Sequence, residues 1–94
     1  DVGEFCCPTY LATMLELIRR RWDNNQRVPG TVVVRFTIHR DGSIADVGLQ
    51  HGSGHVALDL SAQRAVLLTR AIQPLPSAFS ESSLTVRLTF EYRQ

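Results

Sequence analysis

Three histidines, two adjacent cysteines and nine carboxylates are the side chains in this 94-residue chain that could carry proton transfer, nucleophilic attack or metal binding. His39, His51 and His55 come first, because imidazole titrates near neutrality and is a common zinc ligand. Their spacing keeps them apart. His39 stands beside an Asp41-Gly42 turn, His51 at the far end of the following strand, and His55 beyond a Gly52-Ser53-Gly54 break. Cys6-Cys7 has no second Cys or His cluster to complete four metal ligands, and sequence neighbours bond to each other only in a strained ring. The expectation is a pair of thiols, packed or idle, at the start of a helix, with a disulfide to another chain or segment as the alternative. The carboxylates scatter: Asp41 belongs to the turn, Asp59 to a helix start, and Asp46 can pair with Arg35 across a hairpin. Gly52-Ser53-Gly54 precedes a helix, where backbone N–H groups can hold an anion, but it is too short for a dinucleotide fingerprint and reads as a plain loop. There is no lysine, so Schiff-base and P-loop chemistry are absent. No catalytic residue, metal site or cofactor is expected, and the chain is read as non-enzymatic.

The elements that carry these residues are legible from periodicity. Leu11, Met14, Leu15, Ile18 and Trp22 recur at helical spacing behind Pro8, with Tyr10 and Leu17 widening the stripe, so a helix is expected over about Pro8 to Trp22. Arg19, Arg20 and Arg21 fall in its last turn, where cations complement the helix dipole. Gly30 to Gln50 reads as a hairpin. With Asp41 and Gly42 as a two-residue loop, Arg40 pairs with Ser43, Ile38 with Ala45, Phe36 with Val47, Val34 with Leu49 and Val32 with His51, so apolar meets apolar at nearly every pair beyond the turn. The other face carries Thr31, Val33, Arg35, Thr37 and His39 against Ile44, Asp46, Gly48 and Gln50, and is more polar. A second helix follows with Leu58, Ala62, Ala65, Val66 and Ile72 on one side, stopped by Pro74 and Pro76, its alanines implying close approach to the sheet. Ser77 to Ser83 form a loop. Leu84 to Tyr92 then alternate apolar and polar without a slip, a third strand.

A right-handed crossover through the second helix lays the third strand beside the first. The expected fold is α+β: a two-layer sandwich in chain order α-β-β-α-β, with a three-stranded antiparallel sheet of order 2-1-3 and two helices on one face. Length and 44% apolar composition fit one domain, residues 8–94 after a linker end at 1–7. A net charge of +1 gives no global attraction to nucleic acid or membrane. Nucleic-acid binding on the open sheet face would need exposed aromatics, yet Phe36, Phe90 and Tyr92 all fall on the core side. No apolar run approaches the roughly 18 residues of a membrane span, and no signal peptide is seen. What remains is the edge of the third strand, long, without proline, and charged only at Arg87 and Glu91. A partner segment can add there as a further strand, or the edge can pair with a second copy.

The same residues resemble the C-terminal domain of TonB- and TolA-type proteins. Ile18-Arg19-Arg20-Arg21-Trp22, then Gly30 to Ile38 with Asp41-Gly42, Ser53-Gly54 before Leu58-Asp59, Ala62, Ala65 and Val66, and Leu75-Pro76 before Leu84 to Phe90 follow that family's order. The Cys6-Cys7 pair departs from it. The resemblance implies a periplasmic module of an energy-transducing protein, tied to the inner membrane and its motor complex through a segment outside this chain. Such a module grips an extended segment of an outer-membrane transporter by strand addition; a TolA-like adaptor for Tol-system, phage or colicin proteins and a self-pairing or strand-swapped domain are the alternatives. The binding residues it implies are Thr85, Val86, Arg87, Leu88, Thr89, Phe90, Glu91 and Tyr92. No nucleic acid, cofactor or membrane insertion of this stretch is implied.

Overall fold

The computed structural model describes residues 6–93. The chain runs α1 (Pro8–Arg21), β1 (Gly30–His39), β2 (Ile44–His51), α2 (Val56–Thr69) and β3 (Ser83–Tyr92). The strands form one sheet in the order β2-β1-β3, with both pairings antiparallel. β1 alternates along its length and buries Val32, Val34, Phe36 and Ile38 completely. Over that face α1 brings Tyr10, Met14 and Ile18 at a spacing of four, and α2 brings Leu58, Ala62, Ala65 and Val66. The α+β sandwich expected from the pattern is therefore the observed architecture. α2 does come close to the sheet: a Cβ added at Gly30 would lie 2.6 Å from Leu58 Cδ1. Most of the linker expected at 1–7 lies outside the described residues.

Cys6 and Cys7 are not separate thiols. They are joined as a disulfide between neighbours, S–S 2.20 Å, just ahead of α1. Their Cα atoms are 3.8 Å apart, the span of a single peptide, so the bond closes a small ring between neighbours in place of the separate thiols expected from the sequence. Cys7 occupies the N-cap position with a non-helical backbone, and its half-buried side chain rests on the core.

The hairpin turn is one residue longer than expected. His39 N–H donates to the Ser43 carbonyl (2.8 Å) and Gly42 N–H to the His39 carbonyl (2.9 Å), which makes Arg40-Asp41-Gly42 the loop. Gly42 has φ +92°, the left-handed third position of a three-residue hairpin loop. Pairing near the turn shifts by one, so Ile38 faces Ile44 and Thr37 faces Ala45. Ile44 consequently packs on the core, and Ala45 moves to the open face, the reverse of the two-residue reading. A bulge then corrects the count: Asp46, at φ +55°, is the extra residue, and beyond it Arg35 faces Gly48 and Val34 faces Leu49. A second shift puts His51 opposite Val33 rather than Val32. Asp46 sits out of register with Arg35, and no ion pair joins them among the described residues. Asp41 accepts from the Ser43 hydroxyl (2.7 Å) and amide (3.0 Å), and these bonds hold its carboxyl below the ordinary aspartate pKa.

α2 also ends early. It stops at Thr69 rather than continuing through Ile72 to the prolines, because Arg70 turns to φ 63°, ψ −53° and Ala71 N–H closes back on the Thr69 carbonyl at 2.6 Å. That is a γ-turn, a tight and unfavourable backbone for a residue with a Cβ. The chain then crosses the hairpin end as a strap: Ile44 N–H donates to the Arg70 carbonyl (3.0 Å), Ile72 N–H to Gly42 (2.8 Å) and Leu75 N–H to Arg40 (3.0 Å). Ile72 and Leu75 are buried from this strap. Arg40 clamps the following turn by donating to the Pro76 and Phe79 carbonyls, and the Tyr10 hydroxyl donates to the Gln73 carbonyl at 2.7 Å. Arg70→Gly is expected to raise stability by about 0.5 to 1 kcal/mol, since glycine takes positive φ without the Cβ penalty. The check is a higher urea midpoint at unchanged m; a lower midpoint would mean the Arg70 side chain matters more than its backbone.

Candidate partner-binding edge

β3 pairs with β1 over ten successive residues, from Gly30 opposite Tyr92 to His39 opposite Ser83, with no register shift. Its outer side meets no strand among the described residues. β2, on the other flank, is shorter at eight residues and twice interrupted. The direction of the backbone groups follows from the hairpin. His39 N–H bonds toward β2, so alternation along β1 turns Ile38, Phe36, Val34 and Val32 toward β3. Their partners Leu84, Val86, Leu88 and Phe90 therefore use their N–H and C=O groups inside the sheet. Thr85, Arg87, Thr89 and Glu91 direct theirs to the outer edge.

The eight residues implied for binding divide by face. Thr85, Arg87, Thr89 and Glu91 are exposed on the open side of the sheet, and Glu91 lies 3.5 Å from Arg93. Val86, Phe90 and Tyr92 are buried beneath the helices, and Leu88 is half-buried at their margin. The open face thus carries side chains from four of the eight, with Leu88 at the margin.

The Tyr92 side chain is engaged within the fold. Its hydroxyl accepts from the Trp22 indole N–H (2.8 Å) and donates to Ser61 Oγ (2.9 Å), with the Leu58 carbonyl at 3.2 Å as a second acceptor. Ser61 in turn donates to the Asp23 carbonyl at 2.8 Å. Trp22 stands edge-on to both Phe90 and Tyr92, with ring centroids 5.3 Å apart in each case. The end of β3 is thereby fastened to α2 and to the exit of α1. Tyr92→Phe should cost about 1 to 3 kcal/mol by leaving the Trp22 indole N–H without its acceptor and Ser61 Oγ and the Leu58 carbonyl without their donor. The fluorescence of Trp22, the single tryptophan, reports the loss directly. Ser61 gave no signal in the sequence, where it is one polar residue on a helix.

Two concavities flank the helical layer. A slot of about 80 Å³ runs between α1 and β3, lined by Leu15, Ile18, Arg19, Trp22, Leu88, Thr89 and Phe90. A broader groove of about 590 Å³ lies along α2, where Leu60, Leu67 and Leu68 are exposed among Arg21, Arg64 and Arg70. The histidines are dispersed and exposed, at the end of β1, at the end of β2 and ahead of α2. Among the described residues no three His, Cys, Asp or Glu side chains gather to hold a metal ion. No described helix is long and apolar enough to cross a membrane. Ser53 is occupied within the fold: its amide and hydroxyl both donate to Asp59 Oδ1, at 2.9 and 2.8 Å, so the Gly-Ser-Gly turn is tied to the start of α2.

The family model described as TonB C terminal matches residues 8–90. This chain belongs to the TonB C-terminal domain family. Protein TonB of Haemophilus influenzae is 30% identical over 89 residues, an alignment covering 85% of this chain and 33% of that protein. The chain therefore spans about one third of the length of that curated relative. Among solved structures, the TonB C-terminal domain of Helicobacter pylori superposes with a TM-score of 0.72 at 22% identity, over 92% of this chain and 81% of that one, a likeness of fold. TolAIII, solved bound to a peptide derived from the N-terminus of TolB, superposes with a TM-score of 0.76 at 25% identity, over all of this chain and 81% of that one. The TonB domain and TolAIII thus share this two-layer fold.

Proposed function

We propose that this domain is the gripping end of a periplasmic, inner-membrane-anchored protein of TonB type, and that it binds an extended segment of an outer-membrane transporter by strand addition to β3. The observation that carries the reading is the unbulged ten-residue outer strand with the backbone groups of Thr85, Arg87, Thr89 and Glu91 turned outward. An added strand gains a ladder of main-chain hydrogen bonds and is read by alternate side chains. A ladder pulled along its strands loads several bonds together, which suits transmission of force. The fold likeness to TolAIII, a protein solved with a bound peptide, supports the same use of the fold.

The test is an NMR titration of the isotope-labelled domain with peptides from the periplasmic ends of the source organism's outer-membrane transporters. Amide shifts concentrated on Thr85 to Tyr92 are the expected result. Shifts on α2 instead would sink the edge reading and favour a second one, a TolA-like adaptor whose partner lies in the groove beside Leu60, Leu67 and Leu68. Self-association by the same edge predicts dimers at micromolar concentration without peptide, which a sedimentation series detects.

A further inference from the structure

The slot between α1 and β3 lies directly beside the edge that the proposed strand would occupy. Leu15 belongs to the apolar stripe of α1, yet it is 37% exposed while Met14 and Ile18 on either side are buried. Across from it stands Leu88, half-buried, with Trp22 and Phe90 forming the floor and Arg19 and Thr89 at the rim. An apolar wall is thus left open at the flank of the outer strand.

Strand geometry decides which residue of an added segment reaches it. Residues opposite Thr85, Arg87, Thr89 and Glu91 exchange the main-chain bonds and carry their side chains to the open face. The residue opposite Leu88, in antiparallel addition, belongs to a non-hydrogen-bonded pair, where side chains come closest, and it points to the helix side. We infer that this slot is a specificity pocket: it takes one aliphatic side chain from the added strand, so that the segment recognised carries leucine, isoleucine or valine at that position with polar residues on either side. The inference rests on the strand-addition reading. Size selects the class, since about 80 Å³ is little more than half of the roughly 150 Å³ that an apolar cavity needs to hold a benzene-sized ring. Chemistry selects it too, because a carboxylate there would be desolvated against Leu15, Leu88 and Phe90, and Arg19, the cation of the lining, is exposed, where an ion pair contributes little.

The probe is a ten-residue host peptide of alternating Thr and Gln with one central guest, Ala, Val, Leu, Trp or Asp, titrated into the labelled domain to millimolar concentration. Val and Leu guests are expected to bind about ten- to thirty-fold more tightly than Ala, and Asp more weakly than Ala. Leu15→Ser, an exposed position on a helix, should leave the fold intact, keep the shifts on the β3 amides and erase the Leu-over-Ala preference. Shifts on Thr85 to Glu91 that are indifferent to the guest would overturn the pocket and leave strand addition standing. Silence on those amides with every guest would overturn both. A preference for Leu that survives Leu15→Ser would place the apolar contact elsewhere and also overturn the assignment.

Discussion

Replacing Gly42 by alanine is expected to cost about 3 to 5 kcal/mol, a large share of the roughly 5 to 10 kcal/mol that holds a domain of this size. Two effects add. Gly42 has φ +92°, which a residue with a Cβ adopts only at a cost of about 1 to 2 kcal/mol. The new Cβ would also lie 2.1 Å from the Ile72 carbonyl oxygen and 2.8 Å from that of Gln73. Those are backbone atoms of the strap, so relief requires moving it, and with it the bonds from Ile72 to Gly42 and from Leu75 to Arg40. Each is worth about 1 kcal/mol, and Ile72 and Leu75 would loosen from the core. Gly54 supplies the control. It has almost the same φ, +91°, but nothing within 4 Å of its added Cβ. Gly54→Ala should lose only the conformational share. Urea unfolding of both variants decides the matter: equal losses would mean the strap yields freely and contributes little.

That turn also shows what a sequence can and cannot specify. Asp41-Gly42 fits a two-residue loop and equally the last two places of a three-residue one, and the two differ by one position in register. The choice rested on contacts distant in sequence, above all the strap 70–75 that bonds to Gly42 and Arg40. Asp46 then absorbed the difference in a bulge, so that Arg35 opposite Gly48 and Val34 opposite Leu49 follow the expected pairing after a different start. The end of α2 was hidden for a similar reason. Ile72 falls at helical spacing from Ala65, seven residues on, and a γ-turn at Arg70 leaves no mark in a pattern of apolar residues. By contrast β3 was legible almost to the residue, because strict alternation over a half-buried strand has one reading. The edge follows from the order of strands. Which of its backbone groups face outward, and that Leu15 leaves a slot beside it, emerge only when hairpin bonds and helix placement are known together.

Proline at adjacent positions of β3 separates the two uses of its backbone, and the contrast is expected to be steep. At position 89 the N–H faces the outer edge, so Thr89→Pro removes no bond to β1 and places its ring where an incoming strand must pack. Peptide affinity should fall at least about a hundred-fold, from one lost bond and the displaced neighbours, while the domain stays folded and monomeric. Thr89→Ala keeps the N–H and should bind within a few-fold of the parent, which assigns the loss to backbone rather than hydroxyl. At position 88 the N–H faces Val34, inside the ladder. Leu88→Pro should therefore lose about 3 kcal/mol or more of stability, a change visible in urea before any peptide is added. Were Thr89→Pro to bind peptide as tightly as the parent, strand addition would fail whatever Leu88→Pro did, and the partner would have to be sought along α2 beside Leu60 and Leu67. Were Thr89→Pro instead to unfold the domain as Leu88→Pro does, the alternation derived from His39 and Ser43 would be out of phase by one residue, and the outward-facing backbone would belong to Val86, Leu88 and Phe90.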